Sequence, residues 1–97
     1  MLESYEIIQF LKKNKSYLRK HFHCSEIGLF GSYARNEQTD KSDIDILVAF
    51  DGPATSSRYF GVQFFLEDQL GCKVDLVTEK GLRSELRKFV EQDAIYV

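Results

Sequence analysis

Two aspartates one residue apart, Asp43 and Asp45, sit in the run Ser42-Asp43-Ile44-Asp45-Ile46, six residues after the small-residue turn Gly31-Ser32-Tyr33-Ala34-Arg35. A strand alternates its side chains between faces at about 3.3 Å per residue, so the two carboxylates share one face with their Cα atoms roughly 7 Å apart. Both then reach the same ion. A third carboxylate, Asp75, interrupts the apolar stretch Val74-Asp75-Leu76-Val77, a second short strand in which an acid has no structural reason to stand. Three gathered acids repel one another and raise each other's pKa values unless a divalent cation neutralises them, and an oxygen-only ligand set selects Mg2+ or Mn2+ over zinc.

Phosphoryl transfer is the chemistry that uses such a cluster. Two cations about 4 Å apart hold the attacking and leaving oxygens of an in-line displacement, and carboxylates bridge such ions. The Gly31-Ser32 turn supplies a complementary part. Gly31 has no Cβ to obstruct a phosphate, and Ser32 brings a hydroxyl and an amide to the expected start of a short helix. Arg35 is one turn further on and suits either a phosphate oxygen or a surface ion pair.

The succession Gly-Ser-x-Ala-Arg, Ser-Asp-Ile-Asp and an isolated later Asp resembles the nucleotidyltransferase superfamily that includes DNA polymerase β. The likeness is to its smallest branch, the minimal nucleotidyltransferases, MNT. Its motifs run from about Ile27 to Val77 and its length covers the chain. The resemblance implies the polymerase-β-type nucleotidyltransferase fold. It also implies that Gly31 and Ser32 hold a triphosphate, that Asp43 and Asp45 bind two Mg2+ ions, and that Asp75 completes the metal site and helps deprotonate the acceptor hydroxyl. Asn36 departs from the pattern, since many members carry Gly after the Arg. MNT proteins act as antitoxins in HEPN/MNT toxin–antitoxin pairs. The resemblance therefore implies a HEPN ribonuclease toxin as partner and transfer of AMP from ATP to one of its tyrosines.

Ninety-seven residues form one domain, 1–97, with a single core and no room for a second lobe. A catalytic module of this size takes part of its grip on the acceptor from elsewhere, and a partner protein is the economical source. Two other readings stay open. A stand-alone enzyme would modify a small hydroxyl compound in a pocket built at a homo-oligomer interface, and a non-catalytic antitoxin would block its toxin sterically. The net charge of −2, with acids and bases interspersed, gives no basic arm for nucleic acid. No apolar run approaches the roughly 18 residues of a membrane span, and the amino terminus lacks a signal-peptide core, which points to the cytoplasm. Cys24 and Cys72 are expected as reduced structural thiols.

Around these residues the periodicity predicts an α/β fold, a small mixed sheet with helices packed on it. Tyr5, Ile8, Leu11 and Leu18 give helical spacing over Glu3 to His21. Strands are expected over Glu26 to Phe30, Asp43 to Phe50 and Cys72 to Thr78. In the second of these Ile44, Ile46, Val48 and Phe50 form the row that pins the register. A helix capped by Ser56 or Ser57 should reach Leu70 and stop at Gly71 in a left-handed turn, with Tyr59, Phe60, Phe64 and Phe65 mainly in the core, while any face of this cluster beyond what a small domain buries would mark a partner interface. Lys80 to Gln92 offers a last helix, and Ala94 to Val97 a short tail that pairs or packs. The run Lys12, Lys13, Lys15, Arg19 and Lys20 reads as a solvated helix face, and His21 and His23 as exposed or capping residues.

Overall fold

A computed structural model describes residues 2–97. Helix α1 (Ser4–Phe22) is opened by a reciprocal capping box, in which Glu3 and Glu6 each accept from the other's backbone amide. His23, with φ of 59°, closes it in the left-handed region. Strand β1 (Cys24–Phe30) leads into the one-turn helix α2 (Gly31–Ala34), and strand β2 (Ile44–Phe50) follows. Helix α3 (Ser56–Leu70) crosses from β2 to strand β3 (Val74–Thr78); helix α4 (Ser84–Asp93) then leads to the two-residue strand β4 (Ile95–Tyr96).

The four strands form one sheet in the order β3-β2-β1-β4. β2 runs parallel to β3 and antiparallel to β1, and β4 pairs antiparallel with β1, so the sheet is mixed. The α3 crossover is what a parallel β2/β3 pair requires.

The core lies between α1 and α3 on one side and the sheet on the other. Ile7, Leu11 and Leu18 from α1 and Val62 and Leu66 from α3 meet Ile27, Leu29, Ile44, Ile46, Val48, Val74 and Leu76, all of them buried. The row Ile44, Ile46, Val48 and Phe50 faces inward as expected, which commits Asp45 to the opposite face. Leu47 shares that opposite face and is nonetheless buried outside the main cluster, so the acid-bearing side of the sheet is covered in part.

Several expectations shift. On α1 the buried stripe starts at Ile7, and Tyr5 is exposed; an i, i+4, i+11 set through Leu11 and Leu18 fits one helix face better than the set drawn through Tyr5. Thr55 caps α3 by accepting from the Arg58 amide, one residue ahead of Ser56. Gly71 stops α3 at φ 69°, as expected. Phe60 and Phe64 are not core residues: they stack on each other at 5.8 Å on the outer face of α3 and remain 47% and 62% exposed. β3 begins at Val74, and α4 begins at Ser84 because Gly81 and Leu82 turn back on Thr78 and Glu79. The tail pairs, with β4 on Gly28 and Leu29. The five basic side chains of α1 are exposed. Cys24 and Cys72 are free thiols, one buried and one half-buried. Among the described residues no helix is long and apolar enough to cross a membrane.

Candidate active site

The site assembles where β1 ends and where β2 and β3 begin. Parallel pairing places Asp45 level with Asp75, and antiparallel pairing sets Phe30, the residue before Gly31, opposite Asp45. Three sequence-distant segments therefore converge on one carboxylate.

Gly31 is the residue that permits this convergence. Its φ of 73° lies in the left-handed region, and a Cβ there would overlap the Asp45 carboxylate. The sequence suggested that glycine was needed to leave space for a phosphate; the space it leaves here is occupied by Asp45 itself. Ser32 follows in the one-turn helix, where its carbonyl accepts from the Glu37 amide and folds the loop back under α2.

The electrostatics of the pair are those of crowded like charges. Burial, followed by the nearby Asp75 charge and a hydrogen bond to it, pushes the Asp45 carboxyl up to about 6, and Asp43 adds to the effect. Arg35 pulls weakly in the other direction. A carboxyl that retains a proton almost to neutrality beside a second acid marks uncompensated negative charge.

Asp43 is placed differently from the expectation. It lies in the loop one residue ahead of β2, half-buried, and among the described residues no three His, Cys, Asp or Glu side chains close into a metal-binding group. Asp75 acts on Asp45 at close range across the paired strands, and Asp43 acts on Asp45 only through its charge. Asp75 is exposed and turned toward Asp45, so the trio gathers at one mouth of the sheet without closing on a point.

Arg35 spends its guanidinium on carboxylates. Nη1 donates to Asp93 Oδ2 at 2.6 Å and Nε to Glu37 Oε1 at 3.3 Å. Here Arg35 forms a surface ion pair, and its bond with Asp93 ties the end of α2 to α4. Nothing in the spacing of Arg35 and Asp93 signalled this contact, since 58 residues separate them.

The loops beside the acids are pinned. The Ile44 amide donates to the Lys73 carbonyl at 3.0 Å, the Val74 amide to Glu67 at 3.0 Å, and the Thr39 amide to the Ser42 hydroxyl at 2.9 Å. Glu67 and Ser42 hold the site in position, and neither function was apparent from sequence.

The model of the nucleotidyltransferase domain matches residues 6–97. The chain belongs to the nucleotidyltransferase family. A nucleotidyltransferase of Thermococcus cleftensis, the protein adenylyltransferase MntA, is 40% identical over 97 residues, covering 100% of this chain and 98% of its own. A solved structure provisionally identified as a minimal nucleotidyltransferase superposes with a TM-score of 0.81 at 33% identity, over 97% of this chain and 95% of that one. A toxin–antitoxin structure with AMP-PNP matches at TM-score 0.70 and 27% identity, over 98% of this chain and 72% of that one. A structure of tri-AMPylated Shewanella oneidensis HEPN toxin in complex with MNT antitoxin matches at TM-score 0.61 and 25% identity, over 96% and 66%. This nucleotidyltransferase thus shares its fold with solved toxin–antitoxin chains, and its expected enzymatic class holds.

Proposed function

We propose that this nucleotidyltransferase transfers AMP from ATP to a tyrosine hydroxyl of a HEPN-type toxin and acts as its antitoxin. The Asp45–Asp75 pair folded under Gly31 is the observation that carries the reading. The adenylyltransferase name of the Thermococcus relative and the AMPylated HEPN toxin in the Shewanella complex support it. The AMP-PNP of the matched toxin–antitoxin structure supports ATP as the donor.

In the proposed reaction the tyrosine oxygen forms a bond to the α-phosphorus of ATP, the bond from that phosphorus to the β-phosphate oxygen breaks, and pyrophosphate leaves with the bonding electrons. Asp75, the more exposed acid, accepts the hydroxyl proton. Asp45 stands level with Asp75 on the neighbouring strand and is itself held against Gly31. Ser32 offers its hydroxyl toward the phosphates. The three acids do not close on one point in this structure, but oxygen-only donors around uncompensated charge are the chemistry that divalent cations take, so Asp43, Asp45 and Asp75 would hold Mg2+, or Mn2+ in its place. When bound, the cations supply charge neutralisation on the phosphates and on the departing pyrophosphate. An ATP donor and two free thiols suit a cytoplasmic setting.

The test is to incubate the chain with the HEPN protein, ATP and Mg2+ and to weigh the toxin by intact-mass spectrometry. One or more added AMP units on the toxin are expected, and none with Asp43→Asn combined with Asp45→Asn. An unchanged toxin mass with the unaltered chain overturns the proposal.

A further inference from the structure

Beside Asp43 lies a cavity of about 300 Å3, between the loop of residues 40–43 and the loop of residues 71–73. Tyr33, Asp40, Ser42, Asp43, Cys72 and Lys73 contribute to its lining. Its walls are preformed. The Thr39–Ser42 hydrogen bonds stiffen one side, the left-handed Gly71 and the Glu67–Val74 bond fix the other, and the Ile44–Lys73 bond joins them.

We propose that this cavity receives the phenol ring of the acceptor tyrosine, an inference that rests on the function proposed above. Its lining is amphipathic, with Tyr33 and Cys72 alongside Ser42, Asp43 and the charged residues of the two loops. A phenol presents the same division, an apolar body and a polar tip. Its size suits one ring with its linker and is small for a nucleoside triphosphate. Its position gives the third reason. In-line displacement sets the attacking and leaving oxygens on opposite sides of phosphorus. Gly31 and Ser32 flank Asp45 from the β1 side, whereas Lys73 precedes β3 and leads through Val74 to Asp75 on the β3 side. With the phosphates toward β1, the attacking hydroxyl arrives from β3, where the cavity opens at Asp43.

Cys72 makes the cavity testable. It is half-buried, while Cys24 is buried with its thiol pushed up to about 11, so N-ethylmaleimide will label Cys72 selectively in the folded protein, which peptide mapping verifies. Labelling is expected to lower AMP transfer to the HEPN protein about a hundredfold, as a misplaced acceptor does, with the Kd for AMP-PNP changed less than about twofold. Independently, titration of the unlabelled protein with N-acetyltyrosinamide is expected to shift amide resonances of residues 40–43 and 71–73, and labelling to abolish those shifts. Equal losses of transfer and of AMP-PNP affinity would assign the cavity to the nucleotide and overturn the inference. So would unimpaired transfer after labelling, or tyrosinamide shifts that map elsewhere. A chain that transfers no AMP but still shows the tyrosinamide shifts in this cavity would overturn the proposed function and leave the phenol site standing.

Discussion

Asp45 and Asp75, thirty positions apart in sequence, stand side by side on parallel strands, and the Asp75 carboxyl helps to raise the pKa of Asp45. In the unfolded chain Asp45 ionises near 3.9, whereas in the fold it holds its proton to about 6. Between those values the folded state binds more protons than the unfolded one, so stability falls as pH rises from about 4 to about 6 and is level above. The shift of about two units corresponds to a ceiling of about 3 kcal/mol, which solvent screening of a half-exposed group reduces to about 1 kcal/mol. Asp45→Asn is therefore expected to stabilise the protein by about 1 kcal/mol at pH 8 without divalent cations, and to flatten its stability between pH 4 and 6. Urea titrations across that range measure it; a variant less stable than the parent at pH 8 contradicts the crowded-charge account.

The same pair predicts how cations act. Mg2+ or Mn2+ neutralises the acids only once Asp45 has lost its proton, so cation affinity should fall as pH drops below about 6. Binding to the folded state alone raises stability by mass action. Thermal unfolding with and without Mg2+ at pH 8 should show a rise in Tm for the parent chain. The rise should shrink at pH 5 and vanish in Asp45→Asn.

Gly31 and Gly71 separate two uses of a left-handed glycine. Both have φ near 70°, but a Cβ at Gly31 overlaps Asp45 while one at Gly71 meets open space. Gly71→Ala should cost only the backbone term, about 1 kcal/mol, with transfer intact. Gly31→Ala should cost more than Gly71→Ala and lower kcat about a hundredfold by displacing the carboxylate. Equal activities for the two variants would show that Asp45 tolerates the displacement.

Exposure divides the aromatic and aliphatic residues of α3 in the same way. Leu66 is fully buried, and Leu66→Ala is expected to cost about 3 kcal/mol by leaving a cavity. Phe64, 62% exposed, should change stability by less than about 0.5 kcal/mol when replaced by Ala. Chemical denaturation of both variants decides whether the outer face of α3 contributes to the monomer's fold.

That contrast shows where the sequence was legible. Strand β2 could be read because Ile44, Ile46, Val48 and Phe50 mark one face along its whole length and leave Asp45 the other, even though Leu47 is buried on that second face. Gly71 could be read because glycine after a helical run serves as a left-handed stop. On α3 apolar residues surround most of the helix, so periodicity did not distinguish Val62 and Leu66 from Phe60 and Phe64; only the position of the sheet does. The convergence of Asp45 with Asp75 was suggested by their residue types, yet the parallel register that makes them level is a property of the α3 crossover. The service of Glu67, which accepts from the Val74 amide at the head of β3, depends on the angle between α3 and the sheet and leaves no local mark in the chain.

Arg35 had two roles open to it in the sequence, and its contact with Asp93 gives the means to distinguish them. If the guanidinium serves chiefly as a strut between α2 and α4, removing either partner removes the same link. Arg35→Ala and Asp93→Asn should then lower Tm by similar small amounts, and their double variant should be no worse than either alone. The KM for ATP should stay within about threefold of the parent in all three, since a strut contributes no direct phosphate contact. A phosphate ligand predicts the opposite asymmetry. Arg35→Ala alone would raise the KM for ATP about tenfold or more, while Asp93→Asn, by freeing the guanidinium, would leave it unchanged or lower it. The 2.6 Å bond favours the first outcome, and steady-state kinetics of the three variants settle which holds.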